Sequence, residues 1–262
     1  DCHGYNVLVI SSNESFQKEQ KSVEVLMANR ADGIILALSH ETKDYEHIKM
    51  IQESGTPIVL FDRTTNELNV SRVVTDGVTA AFQAVQHLVS EGCKRIALLC
   101  GPENVTIGGN RMEGYEKAME ANHLPAKTEL IWHCSDFTVE AGKEATRQLL
   151  SRQERPDAIF GITDDLAIGA IEAIKEKGLN IPEDIAVVGF SNTKRSRYMN
   201  PTVSSINQFP EKIGRAAAEL LFDQILNSKH AQIKKEIINC ELIIRESSDR
   251  LCKTPVSYTH LD

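Results

Sequence analysis

A chain of 262 residues, 41% apolar and 25% charged, has ordinary globular composition and is long enough for one large domain or two smaller lobes. Its longest apolar runs stop far short of the roughly 20 residues that a membrane-spanning helix needs. A formal charge of −8, spread without a basic block, argues against this piece gripping nucleic acid through its phosphates.

In chain order, short β-branched apolar runs alternate with longer stretches of helical period, the pattern of a parallel sheet covered on both faces. Strands are predicted at Val7–Ile10, Gly33–Leu38, Pro57–Phe61 and Arg72–Thr75, with helices over Phe16–Arg30 and Asp44–Ser54, the latter stopped by Gly55. A second series starts at the strand Arg95–Cys100. It continues through Arg111–Asn122, Glu129–His133, Thr138–Arg152, Ala158–Ile162, Asp165–Lys177 and Ile185–Phe190, with Gly178 as a helix terminator. After a loop come a short strand at Val203–Asn207, a helix at Pro210–Leu226 and a last strand at Glu236–Arg245. The first series is too small for a complete doubly wound sheet, whereas the second has enough strands for one, so two lobes are expected. The segment 251–262 has neither period nor cap and reads as disordered or foreign sequence. At the other end the chain begins without Met and enters an apolar run almost at once, so truncation at the front is expected.

Six cysteines, Cys2, Cys93, Cys100, Cys134, Cys240 and Cys252, show neither Cys-x-x-Cys spacing nor the density of a disulfide scaffold, so reduced thiols in a cytosol are expected. Phosphate-loop, zinc-helix and nucleophile-elbow motifs are missing. Gly101, Gly108 and Gly109 follow a strand at the wrong spacing for a dinucleotide fingerprint and suit a mobile ligand-side loop. His133 and Cys134 are neighbours on a strand, so their side chains point to opposite faces and make a poor base and nucleophile. No metal, cofactor or catalytic residue is expected.

Polar residues recur directly after strands. Asp62 and Arg63 follow one, Asp76 another, Ser191 and Asn192 a third, and Arg111 and Phe137 hold comparable positions. Asp164 and Asp165 stand at a strand-to-helix junction, where a carboxylate caps the helix; Asp164 has the alternative of facing the crevice beyond the strand ends, where open α/β sheets bind ligands. Several acceptors at the carboxyl ends of different strands, with an aromatic face, describe a polyol or sugar site.

The ordered strings Gly33-Ile-Ile-Leu36, Pro57 to Arg63, Val73-Val-Thr-Asp76, Arg95 to Pro102 and Arg111 to Tyr115 resemble the lactose/galactose-repressor (LacI/GalR) family of bacterial regulators. Asp164 to Ala170, Ile181 to Phe190, Pro201 to Gln208 and Ile243 to Ser247 extend the resemblance from about Gly4 to Ser248. It implies an α/β, periplasmic-binding-protein-like fold: two lobes, each with a largely parallel doubly wound sheet, joined by three crossings. The implied division is 1–75 with 208–238 as lobe one, and 76–207 with 239–250 as lobe two. In this family the effector lies between the lobes, and its binding alters a lobe geometry that an attached DNA-binding head reads. The resemblance implies effector contacts at Asp62, Arg111, Phe137, Asp164 and Gln208, with Asp76 at a crossing. Thr163 stands where many members carry Asn, and Ser191-Asn192 replaces a frequent Asp-Asp pair; these three and Arg63 complete the expected ligand-binding set.

Family members also carry a helix-turn-helix head, a hinge, and a first strand and helix of lobe one that have no counterpart here. That strand belongs inside the sheet, so unpaired edges and lost core contacts are expected, leaving the isolated fragment poorly soluble or loosely folded in lobe one. A cytoplasmic homodimer follows from the resemblance alone. The expected function is that of an effector-sensing domain of a DNA-binding transcription regulator, taking a sugar or similar small polar ligand, with operator DNA bound only through the head. The alternative is a periplasmic sugar-binding protein for transport. An enzyme acting on a phosphorylated sugar lacks a phosphate loop, a metal cluster and a credible nucleophile.

Overall fold

Most of the β-branched runs become strands and the amphipathic stretches between them become helices, in the alternation that the sequence predicts. The computed structural model describes residues 4–102, 107–227 and 232–250. Two units emerge, residues 1–75 with 209–238 and residues 76–208 with 239–262, so the chain passes from one to the other three times.

Unit one contains α1 (Phe16–Ala28), β1 (Ile34–Leu36), α2 (Glu46–Glu53), β2 (Ile58–Phe61), β3 (Ser71–Thr75), α8 (Pro210–Leu226) and β9 (Lys235–Ile238). Its sheet runs β1-β2-β3-β9, all parallel. Strand alternation splits its core in two. Ile58 and Leu60 pack with Val23 of α1 and with Ile48 and Ile51 of α2, while Val59 and Val73 pack with Ala217, Leu220 and Leu221 of α8. Both faces are therefore covered. Gly33 permits the close approach of α8, because a Cβ there would stand 2.8 Å from the Leu221 side chain.

Unit two begins with α3 (Gly77–Ser90) and continues with β4 (Ile96–Cys100), α4 (Ile107–Ala121), β5 (Ile131–His133), α5 (Val139–Leu150), β6 (Ala158–Gly161), α6 (Asp164–Glu176), β7 (Ala186–Phe190), α7 (Lys194–Tyr198), β8 (Ser204–Asn207) and β10 (Glu241–Ile243). The sheet order is β10-β8-β7-β6-β4-β5, with β10 alone antiparallel. From β4 the chain moves one way to β5, then back past β4 to β6 and onward. Right-handed crossovers in opposite directions put their helices on opposite faces, which accounts for α3 packing on α4 and α5 packing on α6. Both pairs are tight. A Cβ at Gly169 would lie 2.1 Å from the Val139 carbonyl oxygen, and one at Gly114 would lie 2.3 Å from that of Val78.

Four expectations are corrected. Val7–Ile10 forms no strand: the segment pairs with no neighbour among the described residues, and Val7 and Val9 are 81% and 85% exposed. A run of β-branched residues becomes a strand only when another strand completes its hydrogen bonds. The single last strand is two, β9 and β10, which pair in different sheets across the third crossing. Gly108 and Gly109 lie in the first turn of α4 instead of in a loop. Helices α3 and α7 occupy stretches for which no element was expected; Asp76 caps the first, accepting from the Thr79 amide at 3.1 Å. The expectations for residues 251–262, and for Cys2 and Cys252, lie outside the described residues.

Candidate functional site

The order of strands reverses at β4, with α4 after β4 on one face of the sheet and α6 after β6 on the other, so the carboxyl ends of β4 and β6 form a topological switch point. That is where open α/β sheets hold ligands. In unit two the expected site residues gather at this end. Arg111, on α4, is buried, donates from its guanidinium to the Ile162 carbonyl just beyond β6 at 2.5 Å, and stacks its Cζ 3.8 Å from the centre of the Phe190 ring at the end of β7. It ties together the ends of β6 and β7. Phe137, half-buried, lies against Gly101 so closely that a Cβ at Gly101 would stand 2.2 Å from its ring. Glycine after β4 is what admits that aromatic face.

Thr163 caps α6, accepting from the Leu166 amide at 3.3 Å, while Asp164 looks elsewhere. Its carboxylate, 1% exposed, accepts from the Thr193 amide at 2.6 Å through Oδ2 and from the Ser205 hydroxyl at 2.5 Å through Oδ1. Gly189 makes room for it, since a Cβ there would come 2.5 Å from Oδ1. The two readings of the Asp164–Asp165 pair thus divide: the hydroxyl of Thr163 does the capping, and Asp164 pins the β7–α7 turn and β8 to the start of α6. Asp165 is exposed and lies 3.9 Å from Arg195.

The turn after β7 is held on every side. Ser191 and Asn192 both have positive φ, 119° and 50°, the second a conformation that Asn tolerates better than most residues. The Ser191 amide donates to the Ile206 carbonyl at 2.9 Å and the Asn192 amide to the Ser205 hydroxyl at 2.9 Å. Asn192 Oδ1 then accepts from the Arg245 guanidinium at 2.7 Å. Arg245 also donates to the Val203 carbonyl at 2.5 Å, and its own amide donates to Ser204 Oγ at 2.7 Å. Burial, with Arg197 nearby, pulls the Arg245 guanidinium below the usual arginine range, against the opposing attraction of Asp164. From Ser204 the chain of hydroxyls runs on to Ser248 at 2.6 Å and from there to His87 Nε2 at 2.7 Å. Burial lowers the His87 pKa.

The remaining expected residues do not join this network. Asp76 caps α3 and Gln208 is half-buried beyond β8, at the first and second crossings. Asp62 and Arg63 belong to unit one, where Asp62 is exposed with φ 56°. Arg63 is engaged locally: Nε donates to the Leu38 carbonyl at 2.6 Å and the guanidinium pairs with Glu14. Near it, buried Glu19 accepts from the Ser39 amide, from Thr42 Oγ1 and from His47 Nε2, the last at 2.8 Å. Sequence reasoning missed Arg245, Ser205, Thr193, Glu14 and Glu19 as organisers. A β10-adjacent arginine and serines in β8 carry no local signal, because their partners are 13 to 53 residues away.

No group of three His, Cys, Asp or Glu side chains among the described residues is placed to hold a metal ion. His133 faces out at the end of β5, while Cys134 is buried, its thiol pushed up to about 12 by burial; Cys93 and Cys100 are raised to the same value for the same reason. These are poor nucleophiles. No helix among the described residues is long and apolar enough to cross a membrane.

Two units with largely parallel sheets, joined by three crossings, define a periplasmic-binding-protein-like core. The family of that description, the periplasmic binding protein-like domain, matches residues 85–248. Over 249 residues the chain is 34% identical to the HTH-type transcriptional repressor CytR of Escherichia coli strain K12, covering 95% of this chain and 72% of the relative. Among solved structures it is similar to a transcriptional regulator CelR–cellobiose complex, with a TM-score of 0.80 and 31% identity over 89% of this chain and 71% of that one. A LacI-family regulatory protein from Chloroflexus aggregans gives 0.79 and 31% over 89% and 83%. The chain belongs to the LacI family of transcription regulators, and the regulator reading is supported over the transport alternative.

Proposed function

We propose that this chain is the effector-sensing part of its regulator, and that unit two's share of the ligand site is the crevice at the carboxyl ends of β4, β6 and β7. The observation that carries this is the convergence of Arg111, Phe137, Thr163, Asp164, Ser191 and Asn192 where the direction of strand succession reverses. Buried donors and acceptors held in fixed geometry beside an aromatic face suit a sugar or a similar small polar molecule. The cellobiose held by the CelR relative supports that class. Asp62 and Arg63 at the carboxyl end of β2, with Asp76 and Gln208 at the crossings, are assigned to the same function.

In this reading the ligand acts by its differential affinity for two states of the protein, and operator DNA is read by a separate helix-turn-helix head. The protein works in the cytoplasm as a homodimer and catalyses no reaction; regulators, not enzymes, are its relatives, which supports the last point. The test is a thermal-shift and calorimetric screen of sugars and nucleosides, in which a ligand specific to the native state raises the melting temperature. Phe137→Ala and Arg111→Lys should weaken binding of the hit at least tenfold. Unchanged affinity in both variants refutes the site.

A further inference from the structure

We propose that Arg245 is a positioning residue that sets the hydrogen-bond polarity of the β7–α7 turn, so that Asn192 meets the ligand as a donor and not as an acceptor. The proposal rests on the site assigned above. An asparagine amide has an acceptor end and a donor end of nearly equal shape, and a half-turn exchanges them. Here one end is taken: Asn192 Oδ1 accepts from the Arg245 guanidinium at 2.7 Å. A guanidinium has donors only, so it holds the oxygen toward itself.

Arg245 is in turn fixed to the sheet by its bonds to the Val203 carbonyl and, through its amide, to Ser204. The backbone of Asn192 is pinned by Ser205, whose hydroxyl is also bound to Asp164. Asn192 therefore has neither a free rotamer nor a free backbone. Its Nδ2 donates to no described residue, yet it is not among the buried side-chain atoms that lack a partner, so it reaches the surface of an otherwise 92% covered residue. A ligand meeting this turn must present an acceptor: a hydroxyl, ring or carbonyl oxygen, a ring nitrogen or an ionised oxygen. The effect is specific to the pair. With Asp at 192 the same arginine would hold one carboxylate oxygen and turn the other outward, and the turn would then repel a ligand atom that can only accept, while a hydroxyl, which can donate or accept, would suit either residue.

The experiment has a ligand-free arm and a binding arm, both on the full chain. With asparagine labelled in 13C and 15N, the Asn192 side-chain signals are assigned by their loss in Asn192→Asp. Arg245→Met should then shift the Asn192 Cγ resonance and broaden or split its amide pair; an unmoved Cγ resonance overturns the proposal. In the binding arm, cellobiose, D-ribose, cytidine and adenine serve as probes, with melting temperature measured alongside. Asn192→Asp should cost a bound nucleoside or nucleobase probe about tenfold or more in affinity, because a ring nitrogen or carbonyl facing Nδ2 can only accept and is repelled by a carboxylate, and should cost a sugar hydroxyl, which can reverse its bond, less. Arg245→Met should change the order of preference among the probes, which general loosening of the fold would not do.

Wild-type affinities and order in both variants, with binding still lost in Phe137→Ala, overturn the role of Arg245 and leave the site standing. If Phe137→Ala and Arg111→Lys also bind as the wild type does, the site falls and this proposal with it.

Discussion

Two neighbouring carboxylates, Asp164 and Asp165, should differ sharply in what they contribute to stability. Asp164 is 1% exposed and accepts two bonds, from the Thr193 amide at 2.6 Å and the Ser205 hydroxyl at 2.5 Å. Bonds to an ionised acceptor contribute about 1.5 to 3 kcal/mol each, and a donor left buried without a partner costs about 1 to 3. The Ser205 hydroxyl can rotate to another acceptor, whereas the Thr193 amide is fixed by the backbone, so the two bonds do not count in full. Alanine's better helix propensity returns about 0.5 kcal/mol. Asp164→Ala should therefore destabilise by about 2 to 4 kcal/mol. Asp165 is exposed, with Arg195 3.9 Å away, and Asp165→Ala should stay within about 0.5 kcal/mol. Urea unfolding followed by far-UV circular dichroism measures both, with equal slopes as the check that one transition is being compared. A difference below about 1 kcal/mol between the variants would refute the account of Asp164 as the pin of the β7–α7 turn.

Gly169→Ala should destabilise by about 1 to 3 kcal/mol despite the helix propensity of alanine, because its Cβ would meet the α5 backbone; Gly214→Ala, with open space around it, should stabilise by up to about 1 kcal/mol. Thermal melts of the two variants decide. His87 is held neutral by burial, with its folded pKa below the unfolded value near 6.5. The unfolded chain therefore takes up the proton first, and the stability gained by burying neutral His87 is present above about pH 6.5 and lost as pH falls below it. Denaturant titrations at pH 8 and pH 5 should show a smaller loss in His87→Gln than in the wild type; equal losses contradict this. Amide exchange should be fast across Val7–Ile10 and slow in β4 and β6. A single cooperative melt with full protection across residues 5 to 75 would overturn the expectation of a loosely held unit one.

Strands β2, β4, β6 and β7 were legible because each is a short, wholly apolar run, as in Ile58–Phe61, followed by Asp62, and Ala186–Phe190, followed by Ser191. Helix α3 was not, since the residues it buries are largely glycine and alanine, Gly77, Ala80, Ala81 and Ala84 among them, and a stripe of small residues gives little periodic contrast. Polar and apolar residues alternate from Ile238 through Asn239 and Cys240 to Leu242, so no turn residue separates β9 from β10; only their partners do. At the site, the rule that ligands meet strand carboxyl ends selected residues that the fold does gather in unit two. What it did not show is which of them are spoken for. Arg63 is committed to Glu14 and Leu38, and Asp164 to Thr193 and Ser205; such commitments are made in three dimensions and leave no trace in spacing.

One edge of unit one bears on how this chain must be handled. Among the described residues, strand β1 closes its sheet on one side with no partner strand, and the exposed Val7–Ile10 segment is unpaired as well. A bare strand edge is a template without selectivity: it completes its hydrogen bonds with whatever extended peptide arrives, including another molecule of itself. Concentration is therefore an experimental variable for this chain as much as temperature or pH. Light scattering across a dilution series, read before any binding curve, would separate self-association at that edge from a response to ligand.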